Sequence, residues 1–588
     1  MVLLMTAFIL FKGQQKGIPD KDSSGNKYSG IEHFAGKKVH KLMRKHHIPA
    51  FAIAIVDNQE ILYQEAFGKS DIENNIDASV KTVFKLWSIA KVFTAIEVFR
   101  EVEEGLIDLD CSIIEYLPDF KIQSRNKEEK AITVKSILAH RSGLPRNECV
   151  LETDAAHDTG RLIKFERSTA DCFMAYPVGY RYKYSNLGYD LLGRIIEENR
   201  GEGFSHFMKE HLMNDLGMVN STCNSHDIAD PEIIAKGYEF QNGKYYPMIQ
   251  YDINSIPSGN LYSTIEDLSS FLKSVLGNGV FDNMETLSQM FIDHYSEKND
   301  PETMGLGWKT THIHGSELMV WHDGGPGEGI GALIALLPYR KLGIALIGNG
   351  INFSGNISVP FALEILDQMM GGKSDLENDR TIKPLKIEAD RQFLKQYAGK
   401  YAAFGEVMDI TVKNNKLKGA IGEFDLDLIP VDKTEFRVTH WMDKIGLTKI
   451  FKPPIDFNKI RIEFLKYPSP DSCYMIINMD NLSYEICPKY PVHLTCQGNW
   501  DVLAGEYLMA ERLPCNKTGN LTGSKFNIYI EDSVLIMSGP FGPIVPLDDK
   551  HLIISSGPFS GEVIEYFTES GHIIHQNAVF IPASAVHY

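Results

Sequence analysis

The sequence predicts an α+β domain, an antiparallel sheet flanked by helices, followed by two small antiparallel β-barrel domains. Strand-like segments near the start and again over residues 305 to 349 bracket a stretch with helical spacing, so both ends of the domain feed one sheet. From about residue 390 the pattern becomes short alternating strands with Gly and Asp/Asn turns. That β region carries an internal echo: Tyr397-Ala-Gly-Lys-Tyr401 returns as Leu503-Ala-Gly-Glu-Tyr507, each ahead of a similar strand run.

In chain order, an amphipathic helix is expected over His33 to His46. A buried strand follows from Phe51 to Val56, with a turn at Asp57-Asn58 and a return strand from Ile61 to Phe67. Ile89, Val92, Phe93, Ile96, Phe99 and Val102 then recur at helical spacing, and Gly105 is a fitting stop. From Gly305 the chain reads as strands again, LMVWHDGG and then GALIALLP turning at Tyr339-Arg340 into LGIALIGN. A helix from Phe361 to Met370 packs on the sheet, and GGKSDLENDR is a polar linker. The expected division is an N-terminal segment 1–30, a first domain 31–375, and barrels at 388–490 and 496–588.

With 588 residues the chain exceeds one core. A net charge of −18 without clustered Lys and Arg argues against a nucleic-acid partner. None of the eight cysteines forms a CxxC pair, which disfavours zinc ribbons and thioredoxin chemistry. Cys473, Cys487, Cys496 and Cys515 are close enough in sequence to permit disulfides in an oxidising compartment, or to be buried thiols. The apolar run Val2 to Phe11 is about half the roughly 20 residues a bilayer span needs. It is expected to be an export-signal remnant, with a periplasmic or secreted location, although a basic n-region and a small-x-small cleavage site are missing. The alternative is a short packing segment. No other segment is apolar enough to span a membrane, and homo-oligomerisation is left open.

Three short motifs carry chemistry. Ser88-Ile-Ala-Lys91 places a hydroxyl and an amine on one helix face, where a lysine depressed well below its usual value of about 10.4 can help deprotonate the serine. Tyr184-Ser185-Asn186 adds a phenol able to shuttle a proton and an amide able to orient the lysine and a substrate carbonyl. His322-Asp323-Gly324-Gly325 lies on a strand, where the Gly325 N–H together with that of Ser88 would form an oxyanion hole. His322 would add a polar or cationic group. Each motif alone is weak.

Their order, SxxK, YxN, HxG, resembles class C β-lactamases and the related serine DD-peptidases, esterases and D-aminopeptidases. ITVKSILAHRSGLP, YSNLGYDLLG and PSGNLYSTIEDLSSFL are similar to further signatures of that penicillin-binding, β-lactamase/transpeptidase-like family, over about residues 35 to 370. The resemblance implies that Ser88 is acylated and that Lys91 and Tyr184 share the acid and base work. Asn186 is then the amide partner, and His322, Asp323, Gly324 and Gly325 line the oxyanion and substrate side. It calls for no metal and no cofactor.

Two departures bear on substrate. The third motif starts with His where β-lactamases of this class usually carry Lys, as in certain DD-carboxypeptidases and D-aminopeptidases. Asp323 stands where Thr or Ser commonly meets a substrate carboxylate, so an amine or neutral substrate group is expected there. Paired barrels also resemble the D-aminopeptidase layout, in which a barrel loop can enter the cleft and limit substrate size. The leading expectation is an acyl-enzyme hydrolase of amide or ester bonds in a small peptide or ester substrate. A carboxylesterase, a true β-lactamase and a non-catalytic binding module are the alternatives.

Overall fold

The computed structural model describes residues 30–124, 130–147, 169–277, 279–295, 303–313, 317–325, 327–370 and, with breaks between strands, 391–585. The apolar run near the start and the linker from Gly371 lie outside them. Helix α1 (Ile31–His46) leads into β1 (Ala50–Asp57) and β2 (Ile61–Asp71), and β3 (Ile76–Asp77) ends this part. The later strands are β4 (Lys309–Ile313), β5 (Glu317–Gly324), β6 (Gly331–Leu337) and β7 (Leu342–Gly348). Among the described residues they form one seven-stranded sheet in the order β3-β2-β1-β7-β6-β5-β4. The pairing is antiparallel, with Phe51 opposite Gly348 and Asp57 opposite Leu342, so the two ends of the domain meet in the middle of the sheet.

The unbroken apolar run of β1 has a physical reason: both faces are covered. Ala52, Ala54 and Val56 enter one core with Val320, Ile334 and the helix α6 residues Leu268 and Leu272, where α6 spans Ile265–Gly277. Phe51, Ile53 and Ile55 enter the other with α1 and α7 (Gly355–Met370). Helix α7 begins before Phe361, the expected start, and runs through Pro360. The first core also takes up α2 (Ala90–Glu103), α3 (Val134–Leu138), α4 (Asn186–Arg200) and the single turn α5 (Ile256–Gly259). Cys111 and Cys223 are free thiols, and Cys172 takes part in a disulfide.

The C-terminal region forms two antiparallel units, each with its own core. The first is an eight-stranded meander, β8 (Gly399–Ala403) to β15 (Leu482–Pro488), that curls until its end strands approach. The second is a closed barrel from β16 (Gly505–Glu511) to β23 (Ala578–Pro582). The sequence echo marks the same device in both. The buried Tyr401 hydroxyl donates to the Tyr397 carbonyl at 2.9 Å, and Tyr507 does so to the Leu503 carbonyl at 3.1 Å. In each case a phenol fixes the entry into the first strand.

Candidate active site

Ser88 sits on a one-turn 3₁₀ helix, Trp87–Ile89, that runs straight into α2. Trp87 holds a left-handed φ of 52°, a strained conformation for a bulky residue. Its surroundings fix it there. The Lys85 ammonium lies 4.0 Å from the Trp87 ring centroid and pairs with Glu328 at 3.1 Å. A side chain on Gly327 would come within 2.5 Å of the same ring, which accounts for the glycine. The resulting turn leaves Ser88 partly exposed at the head of the helix.

Lys91, one turn on, is fully buried, and its Nζ lies 3.4 Å from Ser88 Oγ. The amine donates to Asn186 Oδ1 at 2.7 Å and to the Ser258 carbonyl at 2.6 Å. Burial pushes Lys91 below the ordinary lysine value. Tyr184 and Asp190 act in the opposite sense, and the Arg146 cation adds to the depression. Asp190 is itself buried one turn after Asn186, and burial pushes it up to about 7. Tyr184 comes closest to the serine, its hydroxyl 2.7 Å from Ser88 Oγ. Its ring is flanked by the Lys91 amine at 4.7 Å and the Arg146 guanidinium at 4.9 Å from the centroid.

The Tyr184 turn owes its position to the start of α4. Ser185 caps that helix by accepting from the Gly188 N–H at 3.0 Å, and its own hydroxyl donates to the Pro145 carbonyl at 2.6 Å. The Asn186 N–H donates to the Arg146 carbonyl at 2.6 Å. Asn186 Nδ2 donates to Asn147 Oδ1 at 2.7 Å, which leaves Oδ1 of Asn186 facing Lys91.

The third motif closes the site at the end of β5. A side chain on Gly324 would lie 2.0 Å from the Leu86 carbonyl and 3.4 Å from the Ser88 nitrogen, so only glycine lets the strand come this close. Gly325 has a left-handed φ of 79° and packs against Trp87. His322 is buried, and its Nδ1 is 2.8 Å from the Asp323 carbonyl. Burial, with the Lys309 cation next in importance, drives its pKa down to about 3. The imidazole is therefore neutral at ordinary pH, which leaves the polar and not the cationic form of the group expected there. The premise drawn for Asp323 also needs correcting. Its carboxylate is paired with Lys309 Nζ at 2.6 Å, so it does not confront the cleft as an unmatched negative charge.

Sequence reasoning missed several groups that shape the site. The Ser258 carbonyl lies within the PSGNLYST segment, so the signal was present without the role. His140, from ITVKSILAHRSGLP, is buried with its ring 4.4 Å from that of Tyr184, and its Nδ1 accepts from the Ser185 N–H at 3.2 Å. Burial, reinforced by Lys91, holds His140 well below the usual histidine value.

A family model described as Beta-lactamase matches residues 36–355, more than half of the chain. The chain belongs to the β-lactamase family. Among curated proteins it is 27% identical to Protein flp of Staphylococcus aureus (strain MW2), over 52% of this chain and 61% of that one. It is also 27% identical to Beta-lactamase-like protein 4 of Dictyostelium discoideum, over 55% of this chain and 60% of that one. The chain thus spans about 60% of the length of these relatives. Among solved structures, an octameric penicillin-binding protein homologue from Pyrococcus abyssi superimposes with a TM-score of 0.50 at 19% identity, covering 78% of this chain and 99% of that one. A class C β-lactamase gives a TM-score of 0.50 at 21% identity, covering 60% of this chain and 99% of its own. At these identities the two structures bear on the fold alone.

Within the described residues of this β-lactamase-family chain, no helix is long and apolar enough to cross a membrane.

Proposed function

We propose that the protein is a serine hydrolase that forms an acyl-enzyme on Ser88, acting on amide or ester bonds of small peptides in the manner of a D-aminopeptidase or DD-carboxypeptidase. One observation carries this reading: the hydroxyls of Ser88 and Tyr184 lie 2.7 Å apart, with the buried Lys91 amine 3.4 Å from the serine. In the proposed step Ser88 Oγ attacks the substrate carbonyl carbon while its proton passes to the Tyr184 oxygen and the phenol's own proton moves on to an uncharged Lys91 amine. The N–H groups of Ser88 and Gly325 hold the oxyanion, and Tyr184 returns the proton to the departing amine or alcohol. Water then releases the acyl group by the same route in reverse.

A neutral His322 and a Lys309 matched by Asp323 leave neither group as an unmatched cation to hold a substrate carboxylate beside β5. This supports the D-aminopeptidase-like form of the proposal and keeps the carboxylesterase reading as its rival. The experiment is covalent labelling with a fluorophosphonate or penicillin, read by intact mass, with S88A as control. Labelling of the native chain and its loss in S88A are expected. A native chain left unmodified by either probe would overturn the proposal in favour of a binding role. Rates on p-nitroanilide and p-nitrophenyl substrates then rank peptidase against esterase.

A further inference from the structure

The closed C-terminal barrel touches the first domain at a place that matters for chemistry. Glu562 ends the connection between strands β20 (His551–Ile554) and β21 (Val563–Phe567). Its side chain is buried, and Oε1 accepts from Lys183 Nζ and from the Arg146 N–H, both at 2.8 Å. Its other oxygen is 2.9 Å from Nε2 of His575, which lies on strand β22 (His572–His575) of the same barrel. Next to it, Ser560 Oγ is 2.8 Å from the Tyr176 hydroxyl, and a side chain on Gly561 would come within 2.5 Å of the Tyr176 ring.

Both residues that Glu562 holds on the first domain flank the YxN motif. Lys183 directly precedes Tyr184. Arg146 carries the carbonyl that accepts from the Asn186 and Leu187 N–H groups at 2.6 and 3.3 Å, and its guanidinium lies over the Tyr184 ring. One carboxylate thus fixes the turn on two sides of Tyr184. Burying an ion pair is a costly way to glue two surfaces, because apolar side chains of similar volume do so without the desolvation penalty. What a directional pair adds is register.

We propose that Glu562 is a positioning residue for the Ser88 reaction, and that the second barrel completes the site by tethering the Tyr184 turn. The inference rests on the hydrolase reading above and adds a cross-domain requirement to it.

E562Q keeps the shape and an acceptor for the Arg146 N–H but removes the charge opposite Lys183. Acylation by a fluorophosphonate at saturating probe is expected to slow by about ten- to a hundred-fold, with little change in the probe concentration for half-maximal rate. E562D should recover part of the loss, and S560A, which loosens the same interface away from the motif, should acylate within about two-fold of the native chain. Amide hydrogen exchange over residues 183–187 should rise in E562Q and stay native-like in S560A. Native acylation and exchange in E562Q would overturn the proposal, as would equal slowing in E562Q and S560A. Should E562Q not fold, K183M breaks the same pair from the other side and is judged by the same two readouts. Failure of the native chain to acylate would sink the hydrolase reading, whereas the exchange measurement would still decide the tether.

Discussion

Tyr184 Oη stands 2.7 Å from Ser88 Oγ, whereas Lys91 Nζ is 3.4 Å away and already donates to Asn186 Oδ1 and the Ser258 carbonyl. In the proposed hydrolase reaction the phenol, which donates to Ser88 Oγ, is the nearer group to relay the serine proton, and the amine is placed behind it to take the phenol's proton. Y184F should therefore slow acylation by about 100-fold or more while leaving the melting temperature nearly unchanged. K91M should also be slow, but it strands the buried Ser258 carbonyl and the half-buried Asn186 Oδ1 and should cost about 1–3 kcal/mol in denaturant unfolding. Native acylation in Y184F would remove the phenol from the mechanism.

Much of this was legible in the sequence, and the limit of legibility has a physical cause. The strand pair that joins the two ends of the domain followed from continuous apolar runs such as Phe51–Val56, because a doubly covered strand needs such a run. The three motifs were visible since each is local: SxxK on one helical turn, YxN at a helix start, HDGG at a strand end. What stayed hidden depends on partners brought together by folding. Glu562 meets Lys183 across 379 residues, and no periodicity links them. The Asp323–Lys309 pair was nearer to reach. Once β4 and β5 are registered, Lys309 faces Trp321, which puts Asp323 two residues along the same face. The sequence left His322 polar or cationic because its protonation is set by burial, which a one-dimensional pattern does not report.

The tyrosine echo of the two C-terminal units predicts matched energetics. Tyr401 and Tyr507 are both buried, and each donates to a carbonyl four residues back. Phenylalanine at either position keeps the ring and removes the hydroxyl's hydrogen bond to the carbonyl. Y401F and Y507F should each cost about 1–2 kcal/mol, and neither should alter the rate of Ser88 labelling. A neutral result in both would mean that the strand entries are fixed by ring packing alone.

The buried histidines predict acid sensitivity. His322 is held at about 3 in the folded protein by burial and the Lys309 cation, with Lys91 acting in the same direction and the Asp323 charge opposing. In the unfolded chain a histidine titrates near 6.5, so between the two values the unfolded state binds the extra proton and stability falls as pH falls. The contribution of His322 is lost from about pH 6.5 downward, roughly 2–5 kcal/mol in all. His140, also held low, adds to the slope in the same window. Glu562, whose carboxyl sits at about 2 because Lys183 and His575 favour its charge, gives stability that is lost only as pH drops below its unfolded value of about 4.5. Between pH 6.5 and pH 5 the buried carboxyls of Asp190, Glu97 and Glu101, raised to about 7 by burial, act in the opposite sense. Only a comparison of the native chain with a histidine variant, by urea unfolding at both values, therefore isolates the histidine. H322Q should lose less stability, or gain more, than the native chain on going from pH 6.5 to pH 5, and an identical change in both would show that folding does not shift the titration of His322.

The Asp323–Lys309 pair, finally, makes a specificity prediction. The two side chains are each only about a quarter exposed, so the carboxylate masks the ammonium effectively without the pair being sealed from solvent. D323T removes the mask and leaves a cation beside the β5 strand. Turnover of carboxylate-bearing peptides should then rise relative to amine-bearing ones by about three- to ten-fold, the size of a single partly screened charge interaction. K309M should act in the opposite sense, since it leaves Asp323 unmatched and repels a substrate carboxylate. Kinetics of native, D323T and K309M proteins on one peptide scaffold with a carboxylate, a neutral amide or an amine at the variable end would test the ordering. If all three proteins rank the substrates alike, the pair lies off the substrate path and its role is confined to holding β4 against β5.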